Sequence, residues 1–178
     1  MQERKLIMPF RLKPTYIVER VTDINIEELR DENIKGLIFD LDNTLMPPNT
    51  CILPEDIAEW LEKVKVDFKV AILSNNPDKC YVQEAGKKVG CIAFEKAGKP
   101  RRKAAIQALK DLELIPSQVV MVGDRPLTDI LVGQRLGVIT ILVDPIMKQK
   151  ESKVIKFLRK LERIFISSAK RSFSDKNR

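Results

Sequence analysis

The sequence predicts a doubly wound, Rossmann-like α/β fold carried by a parallel sheet of about five strands. Two observations predict it. Short apolar, β-branched runs alternate over residues 34–145 with segments of helical period, as strands covered on both faces by crossover helices do. Polar residues gather where those runs end, at the carboxyl edge where such sheets bind ligands.

The elements follow in order. Residues 1–33 form a mixed lead-in with Pro9 and Pro14, ending in the helix-like IEELRDE. GLIFDL, from Gly36, is a continuous apolar run and opens the sheet. PEDIAEWLEKV is a helix with Pro54 near its start, where a missing N–H costs little. FKVAILSN is the second strand, and KCYVQEAGKKVG a helix that Gly90 ends by accepting left-handed backbone. CIAFE is a short strand and PRRKAAIQALKDLEL an amphipathic helix. QVVMVGD is a strand, TDILVGQRLG a helix and VITILVDP the last strand. No internal repeat or low-complexity segment interrupts the alternation.

At 178 residues the chain suits one domain with a real core. Hydrophobic content of 44% and charged content of 32% describe a soluble globule. No window reaches the ~18–20 uninterrupted apolar residues that a bilayer span needs. MQERKLIMPFRLKP has neither the apolar stretch nor the cleavage site of a secretory signal, so a cytoplasmic protein is expected. Cys51, Cys80 and Cys91 are scattered without ligand spacing and read as reduced thiols. There is no histidine, which excludes Ser-His-Asp and Cys-His catalysis and any imidazole base. Chemistry must rest on carboxylates, lysine, hydroxyls and a hard metal ion.

Charge divides the chain. Residues 148–178 hold eleven Lys/Arg against three Asp/Glu, which leaves 21 against 22 for residues 1–147. The expected division is therefore a core domain over 1–147 and a basic tail over 148–178.

The stretch FDLDNTL places Asp40 and Asp42 two residues apart at the end of a buried strand. Strand alternation would point both the same way, at a cost of several kcal/mol unless a cation or strong donors compensate. Alone, the stretch fits a polar turn equally well. The other strand ends tip the balance. They carry Ser74, Asn75 and Asn76, then Lys99-Pro100, then Asp124 and Asp129 in GDRPLTD. Aspartates converging on one edge make an oxygen-rich site suited to Mg²⁺. A hydroxyl and a lysine beside them supply what phosphoryl transfer needs.

DLDNTL, SNN, KP and GDRPLTD, in that order, resemble the four motifs of the haloacid dehalogenase (HAD) phosphatases. The wording SNN, KPRRKA and VGDRPLTDILVGQRLGVITILVDP is similar to the YqeG-type subclass IIIA family, some of whose relatives are phosphatidylglycerophosphate phosphatases. Two departures, Arg125-Pro126 after Asp124 and Gln134 where Asn is common, leave every motif residue in place. The resemblance implies Asp40 as nucleophile, forming an aspartyl-phosphate, and Asp42 as general acid and then base. It implies Ser74, Asn75 and Lys99 on the phosphate. It further implies Mg²⁺ held by Asp40, Asp124 and the Asp42 carbonyl, with Asp129 supporting the metal shell.

About thirty residues separate Asp42 from Ser74, and one helix and one strand fill Lys99 to Asp124. That leaves no room for a cap domain, so the site is expected to be open to a phosphate on a large partner. In the tail, Val154, Phe157, Leu158, Leu161, Ile164 and Phe165 share one helical face flanked by Lys and Arg. Such a helix suits an anionic bilayer or packs on the core; nucleic acid is disfavoured by the scarcity of aromatics. The expected function is hydrolysis of phosphatidylglycerophosphate at the cytoplasmic membrane face, with an anionic phospholipid as partner. The rival readings are a phosphatase for a phosphoprotein or nucleic-acid end, and an idle anion-binding module.

Overall fold

Valine- and isoleucine-rich runs assemble six parallel strands in the order β1-β6-β5-β2-β3-β4. The computed structural model describes residues 12–147; the expected basic helix over 148–178 lies outside the described residues. The strands are β1 (Tyr16–Ile17), β2 (Gly36–Phe39), β3 (Lys69–Leu73), β4 (Ile92–Phe94), β5 (Val119–Gly123) and β6 (Ile139–Leu142). The helices are α1 (Ile26–Asp31), α2 (Glu55–Asp67), α3 (Lys79–Val89), α4 (Lys103–Asp111) and α5 (Leu131–Leu136).

One strand more is present than the sequence predicts. β1 pairs with β6 through Tyr16↔Ile141 and Ile17↔Leu142 only, too short a run to show a period. A second difference lies before α5, where Pro126–Ile130 forms a π-helical turn rather than the start of one continuous helix.

The pleat sends alternate residues of the central strands to two cores. Leu37 and Phe39 of β2 face a cluster with Ile57, Trp60 and Leu61 of α2. The Phe39 and Trp60 rings meet edge-to-face with centroids 6.0 Å apart, a favoured aromatic geometry. Ile38 faces the other way, into a cluster with Ala105, Ala108 and Leu109 of α4. Helix ends follow local chemistry: Asn25 and Asp78 cap α1 and α3, and Gly90 ends α3 at φ 73°.

This winding places the site. β2 lies between β3 and β5, so the chain leaves β2 toward one side and later returns to the other. The crevice at that reversal, beyond the carboxyl end of β2, is where open α/β sheets bind ligands. No cap domain stands over it among the described residues. None of their helices is long and apolar enough to cross a membrane.

Candidate active site

Asp40 follows the last residue of β2, and its N–H continues the ladder to the Val122 carbonyl at 2.9 Å. The backbone is therefore held as firmly as the strand. β2 ends there, however, so Asp40 and Asp42 are not the alternating strand pair that the sequence suggests. The chain coils after Leu41, whose carbonyl accepts from the Leu45 and Met46 N–H groups at 3.0 and 3.2 Å. Asn43 takes left-handed backbone, φ 67°, which asparagine tolerates. Asp42 sits in this turn.

Three carboxylates close on one point. Oxygens of Asp40, Asp124 and Asp129 lie within 4.8 Å of one another, and all three residues are buried. Asp124 comes straight off β5, while the π-helical turn brings Asp129 back beneath it. Gly123 makes room: a Cβ there would meet Asp129 Cγ at 2.4 Å. The Arg125 N–H fixes Asp129 Oδ2 at 3.0 Å.

Lys99 enters from the loop after β4 with its side chain 1% exposed. Its Nζ lies 2.5 Å from Asp40 Oδ1 and 2.7 Å from Asp129 Oδ1. The second contact is an ion pair off the hydrogen-bonding direction. Asn75 clamps this loop: its Nδ2 donates to the Lys99 carbonyl at 3.0 Å and its Oδ1 accepts from the Lys99 N–H at 2.7 Å. The Asn75 amide is thus spent on positioning Lys99. Ser74 Oγ is buried beside it and accepts from the Asn76 N–H at 3.0 Å.

Electrostatics mark a cation deficit. Burial raises the Asp40 carboxyl, and Asp129 and Asp124 add to the rise; against the opposing pull of Lys99 it still stands pushed up to about 8. Burial alone would lower Lys99, but Asp129 and Asp40 outweigh it and the ammonium is held charged. One lysine against three carboxylates leaves negative charge for a divalent cation. An all-oxygen donor set in a chain without histidine fits a hard ion such as Mg²⁺.

Asp42 faces a second set of partners. Its Oδ1 accepts from the Tyr81 hydroxyl at 2.8 Å and the Asn49 N–H at 3.2 Å; Oδ2 accepts from Asn76 Nδ2 at 3.4 Å. Burial first, then the Asp42 carboxylate, raises the Tyr81 phenol, which keeps its proton and donates. Tyr81, Asn49 and Thr44, whose hydroxyl lies 3.5 Å from Asp40 Oδ2, escape sequence reasoning as site residues; Asn76 is placed at the carboxyl edge by the sequence but given no role there. Tyr81 and Asn49 come from segments separate from the motifs that carry the aspartates, which hides them.

The family described as mitochondrial PGP phosphatase matches residues 2–147. The chain belongs to this family. A relative from Bacillus subtilis, "Probable phosphatase YqeG", is 36% identical over 89% of this chain and 91% of its own length. Phosphatidylglycerophosphate phosphatase 1 of Arabidopsis thaliana is 28% identical over 84% of this chain. This chain spans only 45% of that plant protein. Among solved structures, an uncharacterized Listeria monocytogenes protein superposes with TM-score 0.54 at 22% identity, covering 67% of this chain and 85% of its own. A predicted HAD-like family hydrolase of Porphyromonas gingivalis does so with TM-score 0.51 at 13% identity, covering 72% and 98%; both likenesses concern the fold. This PGP phosphatase family member is a phosphatase with the fold of the HAD-like hydrolase.

Proposed function

We propose that the chain hydrolyses a phosphomonoester on an anionic phospholipid, phosphatidylglycerophosphate, by way of an aspartyl-phosphate on Asp40. The observation that carries the reading is the buried meeting of Asp40, Asp124, Asp129 and Lys99 at the switch point of a sheet that no cap domain covers among the described residues. Asp40, Asp124 and the Asp42 carbonyl would hold Mg²⁺, with Asp129 behind them; the ion supplies charge neutralisation to the phosphate and keeps Asp40 ionised.

The chain's residues do the rest. An Asp40 carboxylate oxygen attacks phosphorus while the P–O bond to the alcohol breaks. Asp42 gives its proton to the departing oxygen, then takes one from the water that cleaves the acyl-phosphate. Lys99 offsets charge on Asp40 and the phosphoryl oxygens. Ser74 and nearby backbone N–H groups face the phosphate, with Asn75 acting through Lys99.

The lipid reading draws support from the plant relatives' names and from the surface round the site. Exposed Lys96, Arg101, Arg102 and Lys103 flank Lys99 in sequence, and exposed Leu127 and Ile146 lie on the π-helical turn after β5 and on the loop after β6. Cations beside apolar side chains suit an anionic bilayer.

A panel of lipid, peptide and nucleotide monophosphates tests the proposal. Turnover is expected to be best on the lipid, to vanish in EDTA, and to return with Mg²⁺ but poorly with Zn²⁺. Asp40→Asn is expected to abolish it, because an amide cannot form the acyl-phosphate. Asp40→Asn activity within about tenfold of the parent, a small fraction of the ~10⁶-fold or more that enzymes achieve, refutes the nucleophile. Undiminished turnover after exhaustive chelation refutes the metal.

A further inference from the structure

We infer that Tyr81 is a positioning residue for the reaction: its phenol fixes the Asp42 carboxyl so that Oδ2 is the oxygen that carries and delivers the proton. The inference rests on the acid–base role proposed for Asp42.

Asp42 has no strand ladder to orient it, since β2 ends at Phe39. Its carboxylate must be aimed by what touches it. Tyr81 is the shortest of those contacts, at 2.8 Å, and it comes from a rigid place. It stands in the first turn of α3, with its own N–H donating to the capping Asp78 side chain at 3.0 Å. The residue is 9% exposed, so the ring has little freedom to swing away.

The hydrogen-bond directions then distinguish the two carboxylate oxygens. The Tyr81 hydroxyl oxygen already accepts from the Asn49 N–H at 3.2 Å, which turns its hydrogen toward Asp42. The same Asn49 N–H reaches Oδ1 at 3.2 Å. Two donors therefore converge on Oδ1, where a further proton would meet hydrogens instead of lone pairs. Oδ2 has one long contact, 3.4 Å to Asn76 Nδ2, and is the oxygen left to bear a proton. As the ester P–O bond breaks, its electron pair goes to the alcohol oxygen and the proton passes from Oδ2 to that oxygen. In the second half, the water that attacks phosphorus returns a proton to Oδ2, and the Asp40–phosphate bond breaks. Tyr81 takes no proton in either step.

The competing account is that the phenol only satisfies a polar group in a packed interior. The two accounts part on leaving-group dependence. Glycerol 1-phosphate releases an alkoxide that needs the proton; p-nitrophenyl phosphate releases a stable phenolate that hardly does. With full-length protein and Mg²⁺, kcat/KM reports steps through P–O cleavage and so senses the acid role. General acid catalysis contributes ~10²–10⁴-fold, and Tyr81→Phe is expected to forfeit part of it. The expected result is a loss on glycerol 1-phosphate on the order of tenfold greater than the loss on p-nitrophenyl phosphate. Equal losses on both esters, or none, overturn the inference and leave the phenol structural. A parent protein without Asp40-dependent turnover of these esters and of phosphatidylglycerophosphate alike overturns the proposed function itself, and the Tyr81 role with it.

Should Tyr81→Phe not fold, fluorination keeps the test open. The chain has two tyrosines, and replacing both with 3-fluorotyrosine preserves the ring while strengthening the phenol as a donor. Tyr16, the other one, is on β1 at the far edge of the sheet. A changed ratio of the two kcat/KM values supports positioning through the hydroxyl; an unchanged ratio overturns it.

Discussion

At the scale of single residues, Asp40 is caught between two demands. The nucleophilic role proposed for it needs an ionised carboxyl, yet burial and the neighbouring Asp129 and Asp124 push that carboxyl up to about 8. The unfolded chain binds the same proton with a pKa of ~3.9. The folded state therefore holds the proton more tightly, and Asp40's contribution to stability is fully present below about 4 and is lost as pH rises through about 8. Lys99, raised above its ordinary value, stays charged throughout that window and adds no slope there. In EDTA, Asp40→Asn is expected to melt above the parent at pH 8, with the gap closing toward pH 5. Mg²⁺ favours the carboxylate and should shrink the gap at pH 8. Thermal melts of both proteins across this range decide it; a gap that is absent or reversed at pH 8 refutes the burial account. The neighbouring Asp42 shows why residue-scale prediction stops short. Its acidity and motif position are legible in the sequence, but Tyr81, 39 residues away, meets it only because α3 packs beside the turn.

At the scale of elements, β5 and the π-helical turn act as one device. The turn's extra residue per winding brings Asp129 back under Asp124, and Gly123 supplies the space. Gly123→Ala would place a methyl group 2.4–2.5 Å from the Asp129 side chain, and one of the two must move. A stability loss of ~1–3 kcal/mol is expected from such overpacking. An activity loss approaching ~10²-fold is expected from shifting a group by about 1 Å, with Asp129 and Lys99 both displaced. Denaturant melts and turnover of p-nitrophenyl phosphate check both; an Ala variant with parental stability and rate refutes the packing argument. Sequence pattern reveals β2, β3, β5 and β6 because each is a long buried run, and α4 because its apolar positions keep a helical period. It hides β1, whose two residues carry no period, and it hides the π-helical turn, whose backbone bonds differ while its apolar spacing does not. The order of the motifs is legible in the chain. The clamp from Asn75 to Lys99 is not, because an Asn after a strand looks like any turn former.

At the scale of the whole molecule, the charges round the site run against the local helix. Lys103 is the first residue of α4, and the first turn of that helix holds no acid. A helix N-terminus disfavours a cation by roughly 0.3–1 kcal/mol, so stability alone would choose an acidic side chain there. Lys96 and Arg101 extend the same exposed strip along the loop that delivers Lys99. Under the proposed lipid reading such a strip would meet an anionic bilayer, where each basic residue near the surface contributes ~1 kcal/mol. The triple variant Lys96→Glu, Arg101→Glu, Lys103→Glu separates fold from docking. Its melt should equal the parent's or rise, because a carboxylate on the first residue of α4 suits the helix dipole. Turnover of p-nitrophenyl phosphate should change little, since none of the three touches Asp40, Asp42 or Lys99 in the described contacts. Binding to vesicles rich in an anionic phospholipid should weaken on the order of a hundredfold or more at low salt, with the difference shrinking as salt screens both proteins. The full chain is used for both, so residues 148–178 contribute alike to each. Undiminished sedimentation of the variant with those vesicles would refute the proposed membrane role of this face. A preference for nucleic acid over vesicles, lost in the same variant, would assign the strip to a different polyanion.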